Sequence, residues 1–380
     1  MQVSSRSEVD AFIVMDVVEA ARKLEEAGRH IIHMEVGQPS TGLSPRAAAV
    51  VGQAAQDHAL GYTVSLGLPA LRTKIAALYG EWYGLDLDPG RIIVTAGASG
   101  AFLLAFSALF DNGARVGLGL PGYPSYRQIL KALGLQPVGF ETRAQDGFQP
   151  TLDTLPDGLD GLIVASPSNP AGTIMGQPAL SALIDHCQSN GIAFISDEIY
   201  HGLHYDTPST SALQVSDDVY VINSFSKYFS LTGWRVGWMV VPEKHVRSVE
   251  RLAQNMFICP SHASQVAALA AMDDVAFCEE NRARYAKNRE VLCEGLKAAG
   301  LGNFAAPDGA FYVYVDISHL KIGSFELSER LLHDAGVAVT PGLDFDPERG
   351  KDFLRFSYAG STADMHDGVD RLVKFLGNLE

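Results

Sequence analysis

Apolar positions along this 380-residue chain keep two rhythms. Up to about residue 240, short β-rich runs alternate with stretches whose apolar residues recur at helical spacing. The runs predict strands over 31–36, 92–95, 114–120, 136–141, 162–165, 193–196, 220–223 and 236–241. The stretches predict helices over 11–27, 68–82, 100–110, 124–132 and 178–190. Strands alternating with helices build βαβ units, so the expected class is α/β with a mostly parallel sheet. Beyond about residue 245 the rhythm changes. Long helices over 243–255 and 275–299 are followed by short strands over 311–317, 337–340 and 353–358. A last helix, 364–376, sets Met365, Val369, Leu372, Val373 and Leu376 on one face. A second, smaller α+β unit is expected there, with the N-terminal helix as its packing partner.

Several predicted strands end in polar or glycine-rich turns: Thr95-Ala-Gly97, Ser166-Pro-Ser-Asn169, Ser196-Asp-Glu198 and Asn223-Ser224. Open α/β sheets bind ligands outside the carboxyl ends of their strands. The set therefore predicts one composite site, although each turn alone would be an ordinary loop.

Composition narrows the ligand. The content of 47% hydrophobic and 19% charged residues is ordinary for a globular chain. Cys187, Cys259, Cys278 and Cys293 are too few for a disulfide scaffold and form no CxxC pair, which suits a reducing compartment. A net charge of −15 argues against nucleic acid and against an anionic membrane surface. An anionic ligand must then meet a local positive site. Residues 1–10 lack the basic-then-apolar order of a signal peptide. Residues 92–110 carry no charge, but Thr95, Gly97, Ser99 and Gly100 divide them into strand, turn and buried helix rather than a membrane span. A soluble cytoplasmic protein with no membrane or nucleic-acid partner is expected.

Three motifs are set aside. Gly117-Leu-Gly-Leu-Pro-Gly122 matches a dinucleotide fingerprint, yet its first glycines fall inside a strand and Pro121 and Pro124 interrupt the turn. Gly97-Ala-Ser-Gly-Ala101 lacks the last glycine of a nucleophile elbow. The pairs His30/His33 and His201/His204 have no evident third ligand, so no metal is expected.

Lys227 is different. It follows the apolar run Val219-Tyr-Val-Ile222 and stands among Phe225, Tyr228, Phe229 and Trp234. An amine that loses hydration is neutral more often and becomes nucleophilic toward carbonyls. Taken alone it is equally a lysine snorkelling from a buried turn. Ser224, Ser226 and Arg235 add hydroxyls and a fork of donors suited to a phosphate. Ala98 and Ser99, at a strand-to-helix turn, add backbone N–H groups that attract anions. An aldehyde that carries a phosphate is pyridoxal phosphate. Asp197, at a strand end, suits the pyridine nitrogen, whose protonation makes the ring an electron sink. Tyr200 and Asn169 could reach the ring hydroxyl.

The stretch 224–237 resembles the pyridoxal-phosphate attachment signature of class I/II aminotransferases. The resemblance continues in order through Val36-Gly-Gln-Pro39, Gly61-Tyr-Thr63, Thr95-Ala-Gly-Ala-Ser-Gly100, Pro121-Gly-Tyr-Pro-Ser-Tyr126, Ser168-Asn-Pro-Ala-Gly-Thr173, Asp197-Glu-Ile-Tyr200 and Arg355-Phe-Ser-Tyr358. It implies the fold type I architecture of pyridoxal-phosphate-dependent transferases. The implied division is an N-terminal helix and strand over 1–40, a large cofactor-binding domain over 41–275 and a small domain over 276–380. By resemblance, Lys227 forms the Schiff base and shuttles the proton, and Asp197 pairs with the ring nitrogen. Tyr200 and Asn169 hold the ring oxygen, and Tyr123 stacks on the ring. Ala98, Ser99, Ser224, Ser226 and Arg235 bind the phosphate, with Tyr62 supplied across a homodimer interface. Arg355, Asn169 and the Gly37 backbone grip the substrate α-carboxylate.

The implied activity is ping-pong transfer of an amino group between an amino acid and a 2-oxo acid. A C–S β-lyase on the same fold would share this shell. A non-catalytic sensing domain would sit beside a basic helix-turn-helix, which the chain lacks. A dehydrogenase on Gly117–Gly122 would transfer hydride. No arginine is spaced to read a side-chain carboxylate, and Tyr62, Tyr123 and Phe311 are candidates for favouring an apolar or aromatic substrate, or equally for core or cofactor contacts.

Overall fold

The computed structural model describes residues 3–57 and 59–379. Met1, Gln2, His58 and Glu380 lie outside them, so the expectation for residues 1–10 is only partly covered. Strands run β1 (Ile32–His33), β2 (Ile92–Thr95), β3 (Arg115–Leu120), β4 (Gln136–Glu141), β5 (Gly161–Ala165) and β6 (Ala193–Asp197). They continue β7 (Tyr220–Ser224), β8 (Gly237–Val240), β9 (Tyr312–Asp316), β10 (Val337–Ala338), β11 (Thr340–Pro341) and β12 (Phe353–Ser357). Helices are α1 (Ile13–Glu26), α2 (Pro45–Asp57), α3 (Pro69–Tyr83), α4 (Gly97–Leu109), α5 (Pro124–Ala132) and α6 (Gln177–Ser189). The rest are α7 (Glu243–Met256), α8 (His262–Ala271), α9 (Val275–Ala298), α10 (Ser324–Arg330) and α11 (Thr362–Leu376).

The principal sheet has seven strands in the order β2-β8-β7-β6-β5-β3-β4. Only β8 runs antiparallel to its neighbours. Side chains alternate between the two faces. Ile92, Val94, Phe194, Val221, Trp238 and Val240 enter one core. Ile93, Ile195, Ile222 and Met239 enter the other, against α4 and α7. Each fully buried aliphatic side chain contributes about 1.5–3 kcal/mol, so the sheet centre is a stiff base. The uncharged stretch after residue 91 splits into β2 and α4, and among the described residues no helix is long and apolar enough to cross a membrane.

A three-stranded antiparallel sheet, β11-β12-β9, forms the second layer of strands. Helices α9 and α11 pack together, while α1 packs on β10 and β11, and β1 pairs with β10 in parallel.

Several predicted elements need correction. The strand expected over 337–340 is two, because the chain leaves β1 at Ala338 and joins Arg355 on β12 at Thr340. The strand expected over 31–36 pairs only at Ile32 and His33. Helix α4 begins at Gly97 rather than residue 100, which brings Ala98 and Ser99 into its first turn. Helices α2, α8 and α10 stand where no periodicity marks them. The first two are alanine-rich and pack on each other, and the third is only seven residues long.

Candidate active site

The parallel strands β2, β5, β6 and β7 end at the same edge of the sheet. Because β8 runs the other way, its first residue lies at that edge too, with Gly237 opposite both Thr95 and Ser224. A Cβ on Gly237 would sit 2.8 Å from the Asn223 carbonyl oxygen and 3.1 Å from the Ala98 nitrogen, so glycine lets the three turns close on one another. Gly97 adopts φ +69°, and a Cβ there would lie 2.5 Å from Arg235 Nη2. This brings the first turn of α4 beside the arginine. The residue before that helix, Ala96, offers no side-chain cap, so its first N–H groups are available to a ligand. Ser224 donates its hydroxyl to Ser226 Oγ at 2.9 Å. Ala98, Ser99, Ser224, Ser226 and Arg235 all line one cavity. Helix-terminal N–H groups, hydroxyls and a guanidinium together form a cradle for a phosphate.

Lys227 reaches the same cavity from the turn after β7. The turn is closed by Leu231 N–H donating to the Phe225 carbonyl at 3.0 Å, and it rests on buried Phe225, Tyr228 and Phe229. Lys227 Nζ donates to the Gly37 carbonyl at 2.7 Å. Burial, then the cationic Arg355 and Arg235, hold its pKa down to about 8, with Asp197 opposing. Near neutral pH an appreciable fraction of the amine is therefore unprotonated.

Asp197 ends β6, buried, in register with Ala165 on β5 and Ile222 on β7. Burial pushes its pKa up to about 6. The Tyr126 hydroxyl, the Ile199 N–H and the charge of Lys227 hold the carboxyl from rising further. It is consequently an anion at pH 7, suited to a cationic ring nitrogen.

Arg355 lies on β12 and is buried. Its Nη1 donates to Asn169 Oδ1 at 2.9 Å, and Nη2 donates to the Glu35 carbonyl and to Thr340 Oγ1. The guanidinium lies over Tyr312 at 4.4 Å and Phe345 at 4.7 Å, while Nε is buried without a partner. A buried cation with unspent donor capacity facing a cavity suits a carboxylate ligand. Gly37 is required beside it, since a Cβ would fall 1.8 Å from the Tyr312 hydroxyl.

Tyr123, Asn169 and Tyr200 complete the lining from the large sheet. Tyr62 does not line the cavity of its own chain and is 83% exposed. Phe311 is packed away between Tyr200 and Tyr285, and its neighbour Tyr312 faces the cavity instead. Tyr312 shares a hydrogen bond of 2.8 Å with the Tyr200 hydroxyl. Sequence reasoning missed Tyr312 and Tyr126, although both lie in stretches already singled out. It also missed an apolar wall of Phe12, Val14, Met15 and Val36. The glycines of the dinucleotide-like motif serve packing: a Cβ on Gly117 would meet Leu159 at 2.7 Å. His201 is buried, donating to the Ser166 carbonyl and accepting from Tyr83.

The residues present fit pyridoxal phosphate: an amine of lowered pKa, a buried carboxylate, and a donor cradle that a Cβ at residue 97 or 237 would fill. Comparison with known proteins agrees. Residues 29–372 match the family model for aminotransferase class I and II. The chain is 43% identical to a valine–pyruvate aminotransferase of Mycobacterium tuberculosis, over 99% of this chain and 98% of the relative. The crystal structure of an aminotransferase from Mycobacterium tuberculosis matches with a TM-score of 0.97 and 42% identity, over 99% of each chain. Aspartate aminotransferase from Thermus thermophilus with maleate matches with a TM-score of 0.92 and 29% identity, over 98% of this chain and 99% of that one. The chain belongs to the class I and II aminotransferases, pyridoxal-phosphate-dependent enzymes of fold type I that move an amino group between an amino acid and a 2-oxo acid.

Proposed function

We propose that this aminotransferase takes an amino acid with an apolar, aliphatic side chain and works in ping-pong order with a 2-oxo acid acceptor. The observation that carries the reading is the convergence of Lys227, Asp197 and Arg355 on one cavity beside the apolar wall. The relative named valine–pyruvate aminotransferase supports the same substrate class.

When bound, pyridoxal phosphate supplies an aldehyde for amines and a ring that accepts the electron pair left at Cα. The residues do the rest. Ala98, Ser99, Ser224, Ser226 and Arg235 would hold the phosphate, and Asp197, ionised, would pair with a protonated ring nitrogen. Tyr123 would support the ring, while Tyr200 and Asn169 would hold its hydroxyl oxygen. Arg355, with Asn169 and the Gly37 backbone, grips the substrate α-carboxylate and fixes which Cα bond is presented. Lys227 Nζ takes the Cα proton, and its lowered pKa suits a base working near neutrality.

The same reading assigns Tyr62 to the site of a partner subunit in a homodimer in the cytoplasm. Exposed Tyr62 and Val64 on one loop, and Met256 and Ile258 at and just beyond the end of α7, support it, the two segments being tied by the Ser65 hydroxyl donating to the Ile258 carbonyl at 2.6 Å. The domain division is 1–40, 41–275 and 276–380.

A panel of L-amino acids, each mixed with holoenzyme and no acceptor, tests this. Valine and similar side chains are expected to bleach the cofactor's visible band and release their 2-oxo acids, with aspartate much slower. Bleaching by aspartate alone overturns the substrate class. Pyruvate and ammonia released continuously from a cysteine conjugate without acceptor overturn transamination as the main activity.

A further inference from the structure

Helix α1 has no N-cap of its own. Phe12 stands at the position where serine, threonine or aspartate usually accepts from the first free N–H groups, and it makes no such bond. The donors are satisfied from the far end of the chain. The Ile13 N–H donates to Asp344 Oδ1 at 3.1 Å, and the Val14 N–H to Oδ2 at 3.2 Å. Asp344 is buried on the single turn Gly342–Asp344 that leads from β11 toward β12. Its neighbour Phe345 lies under the Arg355 guanidinium. One carboxylate thus joins the element that brings Phe12, Val14 and Met15 to the cavity with the segment that supports the carboxylate grip. A carboxylate at a helix N-terminus also complements the helix dipole.

We propose that Asp344 is a positioning residue for side-chain selectivity. It holds the first turn of α1 so that Phe12, Val14 and Met15 stand as a fixed apolar wall beside Arg355. This rests on the aminotransferase reading above, in which Arg355 takes the α-carboxylate. A branched aliphatic side chain buries methyl groups against the wall, each worth about fourfold in affinity, and the single methyl of alanine gains less. Without Asp344, two N–H groups lose their acceptor and the first turn of α1 frays. The wall then no longer excludes water from the longer side chain.

The test uses holoenzyme and steady-state kinetics with L-valine and L-alanine at a fixed saturating concentration of 2-oxo acid acceptor. Asp344→Ala is expected to raise the KM for valine about tenfold, the loss expected from an absent cap. Both kcat values, the KM for alanine and cofactor affinity should stay within about twofold, since the reacting groups are untouched. Asp344→Asn, whose amide oxygen still accepts an N–H, should recover most of the valine KM. An unchanged ratio of valine to alanine kcat/KM in Asp344→Ala overturns the proposal. Should that variant fail to fold, Phe12→Ala leaves the tether in place and must lower the same ratio; an unaltered ratio there overturns the proposal equally. Wild-type enzyme that reacts with no amino acid at all overturns the aminotransferase reading beneath it, a result distinct from either.

Discussion

Asp197 shows how a single side chain balances opposing forces. Burial alone would protonate it, and the Tyr126 hydroxyl, the Ile199 N–H and Lys227 keep it ionised at neutral pH. In the role proposed above its charge matters most while a bond to Cα is broken, so Asp197→Ala should slow Cα proton removal by about 10²-fold or more, while cofactor affinity falls far less. Deuterium exchange at Cα measures the first and equilibrium dialysis the second; equal losses in both would make Asp197 a binding group only. Asp197 and Lys227 were legible because a strand end and a long motif mark them, whereas Arg355, in the middle of β12, was nominated by the family resemblance alone. Tyr126 and Tyr312 were not, since their hydroxyls meet Asp197 and Tyr200 across 71 and 112 residues, which no local pattern encodes.

At the scale of elements, the short strand β1 carries an ion pair next to Arg355. His33 Nδ1 meets Glu35 Oε1 at 2.8 Å and Nε2 meets Glu25 Oε1 at 3.0 Å. The Glu35 carbonyl in turn accepts from Arg355. Glu35, then Glu25, hold the His33 pKa up to about 9 against its burial. A pKa raised on folding stabilises fully below the unfolded value of about 6.5, and the benefit is lost as pH rises through about 9. The melting temperature of His33→Gln should therefore fall furthest below wild type at pH 6, and the gap should close above about pH 9. A gap independent of pH would mean that His33 acts by packing alone. The helices α2 and α8 escaped sequence reading because alanine, common in both, marks a buried face only weakly.

At the scale of the whole molecule, the seven-stranded sheet was legible as alternating strands and helices. The antiparallel course of β8 was not, yet it is what sets Arg235 beside Ser224 and Ala98. Tyr62 is exposed on a loop near the exposed apolar side chains of Val64, Met256 and Ile258. The homodimer proposed above would cover these side chains. Light scattering should give a mass twice the 40.8 kDa of one chain. A monomer at micromolar concentration would leave Tyr62 with no site to serve. The most direct measurement concerns the amine at residue 227. Holoenzyme reduced with borohydride and digested should yield one phosphopyridoxyl-modified peptide, with the added mass on Lys227. Modification of another lysine, or none, would contradict the assignment on which the catalytic reading depends.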